Sequence, residues 1–433
     1  MRVSPTKIYR ISVLLIGVSM VVQELYGLAQ LSGLCRSGNY RYPFTGSFYN
    51  PGPFACYIAL GVPVALRMMV KGNNRLQKWL GTGMVVAATI LIPASMSRTA
   101  LVACGIGGVI AVCDTLRSAS RAVPRVRAVA LTAMLICGAS AVYLAKRDSA
   151  DGRFLMWKVA SQAAADAPAL GVGWDNVAGA YGDAQERYFA SGRGSAQEIL
   201  VADAPQYVFN EYLQVAIAYG PGASIAMAVV ISGAILIALL NHSYALAGSS
   251  AAVAVVMFAS YPLQFPLSVV TIALILSGAW LSSRSQPLGW AMTALIAVTS
   301  GVFLTRDDST DVRSQFSVAH TLHKMHHYRK STDYLLKLLP HTADPMPLNI
   351  IAKNYRALAM PDSAEHYLIR STRRCPNRLY PHYLLMQLYG DSTFLHPDRR
   401  RRQALLILNT REKIPSRAVD EMREEARKTL SPQ

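Results

Sequence analysis

The sequence has 433 residues, of which 52% are hydrophobic and only 16% are charged. Soluble globular proteins usually carry about 25% charged residues, so this composition argues against an ordinary soluble protein. The net charge of +18 would suit a nucleic-acid-binding protein. However, many basic residues lie in short segments beside apolar stretches, where they set the orientation of a membrane protein. We therefore expect no nucleic-acid partner.

The density of charged residues changes sharply at about residue 306. Residues 1–305 contain 21 basic residues (Lys and Arg) and 11 acidic residues (Asp and Glu). The shorter segment 306–433 contains 22 basic and 14 acidic residues. This step predicts a membrane domain over residues 1–305 and a soluble domain over residues 306–433.

About nine apolar stretches in the first domain are candidates to cross the hydrocarbon core of a bilayer, which is about 30 Å thick, as helices. They lie near residues 11–31, 53–70, 79–96, 99–113, 128–145, 211–240, 245–262, 267–282 and 288–304. The stretch 211–240 contains Gly220, Pro221 and Gly222, which predict a broken or tilted element. No small-residue cleavage site follows the first stretch, so we interpret it as a span rather than as a signal peptide.

The basic residues between the spans favour a cytoplasmic N-terminus. Short turns on the opposite side carry only Arg36, Arg41 and Arg98. Three successive segments on the cytoplasmic side share a high density of basic residues, namely Arg2, Lys7, Arg10, Arg67, Lys71, Arg75, Lys78, Arg117, Arg121, Arg125 and Arg127. This bias predicts that the polar loop 146–206 and the C-terminal domain lie outside the cytoplasm.

The loop 146–206 is too long to be an idle connection in a compact protein. Its residues 153–165 have a helical pattern, which Pro168 and the segment 171–173 end. Arg153 and Trp157 are one helical turn apart and therefore share a face.

The C-terminal domain has the pattern of paired helices. Residues 349–360 and 362–374 predict an antiparallel pair, and Tyr355 and Tyr389 lie 34 residues apart, which is the tetratricopeptide period. Generic helix pairs are the alternative. A charged amphipathic helix closes the chain at residues 418–430. A cluster of four histidines lacks a complement of carboxylates or cysteines, so we expect a surface cluster and no metal site, at His320, His323, His326 and His327.

Charged side chains near membrane depth are costly and are therefore functional candidates. Glu24 lies in the first span, where a buried structural carboxyl is the simpler interpretation. Arg98 separates two apolar stretches, Arg153 opens the loop helix, and Glu211 follows Asn210 at the start of the long span. Guanidinium groups suit a diphosphate because they donate paired hydrogen bonds. A carboxylate can act as general base toward a sugar hydroxyl. A transporter cavity lined by the same charges is an alternative.

Short motifs follow one another along residues 20–225. They are YGLAQ at 26–30, GSFYNP at 46–51, SRTA at 97–100, Gly152-Arg153 with Trp157 leading into PALGVG at 168–173, and NEYLQ at 210–214 followed by Tyr219-Gly220. In this order and at these positions beside the spans, they resemble the O-antigen ligase and polymerase family of bacterial membrane proteins. The C-terminal domain, with its segment 376–381, is similar to the repeat domain appended to such proteins in Bacteroidetes.

The resemblance implies an all-α fold: a polytopic transmembrane helical bundle of about nine spans in the bacterial inner membrane. The loop 146–206 and a tetratricopeptide-like domain at 306–433 would be periplasmic. The implied reaction transfers an oligosaccharide from an undecaprenyl diphosphate carrier to an acceptor glycan or to the lipid A-core, within membrane lipid and without a metal or other cofactor. The C-terminal domain would be a module that binds a protein partner or the acceptor.

The resemblance also implies roles for individual residues. Arg98 and Arg153 would bind the carrier diphosphate and stabilise it as a leaving group. Asn210 and Glu211 would lie near the acceptor.

Two departures from the family pattern bear on catalysis. Many ligases have a His immediately before the motif's Asn, whereas this sequence has Phe209, and no His precedes His242. Base catalysis would then fall to Glu211 or Asp203, or the protein is a polymerase-like or divergent member. Family members also have more spans before the YGLAQ motif, which predicts a chain that is short at its N-terminus. A non-catalytic scaffold that presents the repeat domain, and a lipid or polysaccharide transporter, are the alternatives.

Overall fold

A computed structural model of the chain describes residues 5–118, 147–306, 311–411 and 416–431. Within these residues there are nineteen α-helices, three short 3₁₀ helices and no β-strand. The α-helices, in chain order, are α1 (Pro5–Leu31), α2 (Pro51–Lys71), α3 (Arg75–Ala94), α4 (Arg98–Ser118), α5 (Arg147–Asp166), α6 (Val177–Ala190), α7 (Ala196–Val201), α8 (Glu211–Tyr219), α9 (Pro221–Leu240), α10 (Tyr244–Ala259), α11 (Pro266–Leu281), α12 (Gln286–Leu304), α13 (Val312–Lys324), α14 (Tyr328–Leu338), α15 (Met346–Ala357), α16 (Pro361–Arg374), α17 (Leu379–Leu388), α18 (Pro397–Asn409) and α19 (Arg417–Leu430).

The chain divides into two compact units. The first unit comprises the described parts of Met1–Lys146, Phe209–Tyr212 and Ser224–Arg306. The second unit comprises those of Arg147–Val208, Leu213–Ala223 and Asp307–Gln433. The loop predicted at 146–206 and the predicted C-terminal domain therefore contribute to one compact unit.

Among the described residues, five helices are long and apolar enough to cross a membrane: α1 from Ile11, α2, α3, α9 and α12. The apolar part of α4, together with α10 and α11, is shorter. All of these helices coincide with predicted spans, and they support a membrane protein. The stretch predicted at 128–145 lies outside the described residues, so the span count stays a prediction.

Small residues let the helices of the first unit approach closely. A Cβ added to Gly107 of α4 would lie 2.7 Å from the carbonyl oxygen of Gly248 in α10. Such close backbone approach is typical of helix packing in membranes. Asn50 begins α2, because its side chain accepts a hydrogen bond from Gly52 N at 2.9 Å.

The second unit contains the loop helices α5 to α7 and the C-terminal helices α13 to α19. Helices α15 and α16 form the antiparallel pair that the sequence predicts, and Tyr355 stacks on Tyr367 at 5.6 Å between ring centroids. The predicted helices at 382–389 and 418–430 correspond to α17 and α19. The assignment of these helices to a tetratricopeptide-like repeat stays a prediction.

Candidate functional site

A turn between α10 and α11, residues 259–265, contacts two of the sequence motifs within the first unit. Thr99 donates its Oγ1 hydrogen to the carbonyl oxygen of Ala259 at 3.0 Å. At the other end of the turn, the Leu263 N–H donates to Oε1 of Glu211 at 2.8 Å. The SRTA motif and the NEYLQ motif are therefore attached to the same short segment.

Aromatic rings attach a third motif to the 259–265 turn. Phe209 packs edge-on against Tyr261 with 4.6 Å between ring centroids. Asn50, in the GSFYNP motif, donates to the Tyr261 hydroxyl at 3.5 Å. Phe48 of the same motif contacts Phe265 at 5.2 Å between centroids. The turn is thus the common contact of residues that are far apart in sequence.

Gln30 joins the YGLAQ motif to the loop that carries GSFYNP. Its Oε1 accepts hydrogen bonds from Thr45 N at 2.9 Å and from Gly46 N at 2.8 Å. Gly46 has a φ of +53° and a Cβ there would lie 2.3 Å from the Phe54 ring, so this position requires glycine. Glu24, on the same helix as Gln30, is buried as the sequence suggested.

Arg98 is the first residue of α4 and follows a tight turn. Ser95 Oγ accepts from Ser97 N at 3.2 Å, and Ser97 Oγ accepts from Ala100 N at 3.4 Å. Between them, Met96 has a φ of +55°, in the left-handed region that non-glycine residues rarely adopt. The half-buried Arg98 side chain therefore projects from a closely held backbone.

Asn210 and Glu211 are buried, with 5% and 1% of their surfaces exposed. Glu211 begins α8, and its Oε2 is buried with no hydrogen-bond partner among the described residues. One carboxylate oxygen thus holds the backbone of the 259–265 turn, while the other is available for a further hydrogen bond. Phe209, which precedes them, has a φ of +54°.

In the second unit, Arg153 lies on α5, which contains the predicted helix 153–165. Leu155 and Val159 of α5 are buried in an apolar core shared with α6, where they meet Tyr181 and Tyr188. Arg153 itself is half-buried. The packing of α5 on α6 therefore sets where the backbone of Arg153 lies.

The PALGVG motif meets the segment before Gly220 within the second unit. Val172 N donates to Ile217 O at 3.0 Å, and Gly173 N donates to Ala218 O at 3.0 Å. Next to them, Trp174 stacks on Tyr219 with 6.0 Å between centroids. The PALGVG motif and the segment before Gly220, which are more than forty residues apart in sequence, are thus hydrogen-bonded to each other.

A charged network connects α5, α6 and α7. Lys158 Nζ donates to the Tyr188 hydroxyl at 2.7 Å and to Glu198 Oε1 at 2.9 Å. Glu198 Oε2 accepts from Tyr188 Oη and from Ser195 N, both at 2.9 Å. Partial burial acts to raise the pKa of Glu198, but the hydrogen bonds from Ser195, Lys158 and Tyr188 outweigh it and lower the pKa to about 2.

This lowered pKa makes the loop sensitive to acid. Because the folded pKa of about 2 lies below the usual value of 4.5, Glu198 stabilises the loop above pH 4.5 and loses this effect as the pH falls toward 2. The thermal unfolding midpoint of the wild type is expected to fall more than that of Glu198→Gln between about pH 5 and pH 3. Circular dichroism melts would measure this, and equal falls would refute the role of Glu198.

Asp203, the alternative base, is half-exposed in the second unit. Its carboxylate pairs with Arg378 Nη2 at 3.3 Å, and its backbone oxygen accepts from Gln185 Nε2 at 3.0 Å. Its carboxylate is thus already paired with Arg378, which lies in the segment between α16 and α17.

The candidate residues fall in both units: Arg98, Asn210 and Glu211 lie in the first unit, and Arg153 and Asp203 in the second. Within the described residues, no group of three His, Cys, Asp or Glu is arranged to hold a metal ion. Sequence reasoning missed the 259–265 turn. Pro262 in this turn and Pro266 at the start of α11 signal a break between two apolar stretches, but no local pattern reveals which motifs the turn contacts.

Comparison with known families places these residues in one matched segment. Residues 83–227 match the family model of O-antigen ligase, which is less than half of the chain but includes these five candidate residues. No match was found among curated proteins or among solved structures. Over residues 83–227 the chain is therefore similar to the O-antigen ligases, and this similarity together with its apolar helices implies a membrane function of the O-antigen ligase or polymerase type.

Proposed function

We propose that the protein is a membrane glycosyltransferase of surface-polysaccharide biosynthesis. It transfers an oligosaccharide from undecaprenyl diphosphate to an acceptor glycan or to the lipid A-core, at the periplasmic face of the bacterial inner membrane. The observation that carries this proposal is the O-antigen ligase match at residues 83–227, because it includes all five candidate residues.

Arg98 and Arg153 are the proposed diphosphate ligands. The carrier leaves as a diphosphate anion, and a guanidinium group can offer paired, charge-assisted hydrogen bonds to its oxygens. Arg98 stands at the N-terminus of α4, where the helix dipole also favours an anion. In the proposed reaction the two guanidinium groups stabilise the negative charge of the leaving diphosphate, which a metal ion does in other phosphate chemistry. The proposed reaction therefore uses no cofactor.

Glu211 is the proposed general base for the acceptor hydroxyl, and Asn210 its neighbour at the acceptor. Oε1 of Glu211 is held by the Leu263 N–H, while Oε2 has no hydrogen-bond partner among the described residues. A fixed carboxylate with one available oxygen suits proton abstraction from a hydroxyl. The pairing of Asp203 with Arg378 makes Asp203 the weaker candidate.

The proposal can be tested by complementation. A host that makes the lipid-linked glycan but lacks its own ligase and polymerase would express the full chain, and its surface glycan would be resolved by size. A capped lipid A-core would indicate ligation, and a lengthened ladder would indicate polymerisation. Arg153→Ala is expected to restore no glycan, whereas Arg193→Ala, which changes an exposed arginine of the same loop, is expected to restore it.

Restoration of the glycan by Arg153→Ala at wild-type level would favour the scaffold function instead. Glu211→Gln tests the proposed general base separately, because it keeps an oxygen that accepts from the Leu263 N–H but removes the basic carboxylate. It is expected to lower product formation by about 10²-fold or more, the typical contribution of a general base. A larger loss with Asp203→Asn than with Glu211→Gln would move the base role to Asp203.

A further inference from the structure

Helix α6 is packed on two sides within the second unit. On one side, Tyr181, Ala184 and Tyr188 are buried in the core shared with α5. On the other side, Gly179 and Gly182 face the C-terminal residues, and a Cβ on Gly179 would lie 2.0 Å from the oxygen of Pro340. Helix α6 therefore lies between the helix that bears Arg153 and the C-terminal helices.

A cluster of two acids and two arginines occupies the second side of α6. Arg374 is fully buried and pairs with Asp183, and its Nη2 also lies 3.6 Å from Glu186. Arg370 Nε donates to Glu186 Oε1 at 3.0 Å. A buried arginine is tolerated only with good partners, so these acids are needed to hold α16 against α6.

Further hydrogen bonds lie next to the acid and arginine cluster. Gln185 Nε2 donates to the backbone oxygen of Arg374 at 2.5 Å. Asn377 Nδ2 donates to Leu200 O at 3.0 Å and to Ala202 O at 2.7 Å. Side chains from the segment 370–378 thus satisfy both acidic groups and backbone carbonyls of the loop.

We propose that the segment 370–378 holds the loop in the conformation that presents Arg153, and that Arg374 is the positioning residue for this arrangement. The inference rests on the proposed function, because it assigns the C-terminal helices a part in the transfer reaction. It goes beyond the expectation that these helices bind a protein partner or the acceptor.

The contacts between α6 and α5 connect Arg374 to Arg153. Asp183 and Glu186, which meet the arginines, lie on the same helix as Tyr188, which bonds to Lys158 of α5. A shift of α6 therefore moves α5 and the Arg153 guanidinium with it. Misplacement of a substrate-positioning group by about 1 Å can lower a reaction rate by 10²-fold.

The test uses three variants of the full chain in lipid bilayers. Arg374→Met removes the charge at similar volume, Arg374→Lys keeps a cation, and Arg373→Ala alters the exposed neighbour as the matched control. Hydrogen exchange would be measured for peptides of residues 147–208 and of residues 311–411. Glycan formation would be measured in the complementation host.

Arg374→Met is expected to accelerate exchange in the loop peptides by about tenfold or more, since it removes the fully buried cation that pairs with Asp183 and leaves only Arg370 to hold the two acids. It should lower glycan formation about as much as Arg153→Ala does. Arg374→Lys is expected to recover part of both losses, and Arg373→Ala should match the wild type.

Three outcomes would overturn the inference: unchanged exchange in the loop, faster exchange confined to residues 311–411, or faster loop exchange with full glycan formation. A separate result would refute the proposed function itself, namely wild-type glycan formation by Arg153→Ala. In that case the exchange data would still decide whether Arg374 holds the loop.

Discussion

Replacement of Arg98 with alanine is expected to lower the rate of glycan transfer by about 10²–10³-fold, the usual cost of losing one preorganised donor to a developing anion. The side chain projects from a turn held by Ser95 and Ser97, and Thr99 attaches the helix start to Ala259. The backbone position of Arg98 is therefore fixed before the substrate binds. Arg98→Lys should recover only part of the rate, because an ammonium group lacks the guanidinium fork.

The rate would be measured with purified full chain in bilayers, at equal protein amounts. Arg75→Ala is the matched control, because it removes an exposed basic residue at the start of another helix of the same unit. An Arg98→Ala variant that transfers glycan as fast as Arg75→Ala would remove Arg98 from the proposed site.

Replacement of Gly220 with alanine is expected to have a large effect on stability. This glycine separates α8 from α9 with a φ of +86°, and a Cβ there would lie 1.9 Å from the carbonyl oxygen of Ala169. A side chain at residue 220 would strain the left-handed backbone, and it would also clash with the carbonyl oxygen of Ala169. Gly220→Ala is therefore expected to destabilise the second unit by about 3 kcal/mol or more.

Gly222→Ala is the control for this substitution. A Cβ at Gly222 would meet no atom within 4 Å, and the residue lies in α9, where alanine is the better helix former. Thermal unfolding of the two variants would be compared, and protection of residues 168–173 would be followed by hydrogen exchange. Equal unfolding midpoints would show that the break at Gly220 is not structurally required.

Local sequence patterns predicted the positions of the helices well. Apolar stretches identified α1 to α4 and α9 to α12, because membrane helices must satisfy their own backbone hydrogen bonds and expose apolar side chains. The break at Gly220 was also predicted and is confirmed, since glycine and proline act through local backbone geometry. The helix pair α15 and α16 followed from periodicity in the same way.

Contacts between distant residues could not be predicted from such patterns. The hydrogen bond from Leu263 to Glu211 joins residues 52 positions apart, and the ion pair between Arg374 and Asp183 joins residues 191 apart. Arg374 follows Ser371 by three residues on the buried face of α16, but no local pattern reveals that Asp183 is its partner. These contacts depend on tertiary packing, which decides whether a charged residue is solvated or buried with a partner.

The most direct measurement is a transfer assay with the purified full chain in lipid bilayers. It would supply a labelled oligosaccharide on undecaprenyl diphosphate together with an acceptor glycan or lipid A-core, in the presence of a metal chelator. The expected result is transfer of label to the acceptor with one undecaprenyl diphosphate released per oligosaccharide, and loss of both in Arg98→Ala and Arg153→Ala. No transfer by the wild type, or transfer by the two arginine variants at the wild-type rate, would contradict the proposed function.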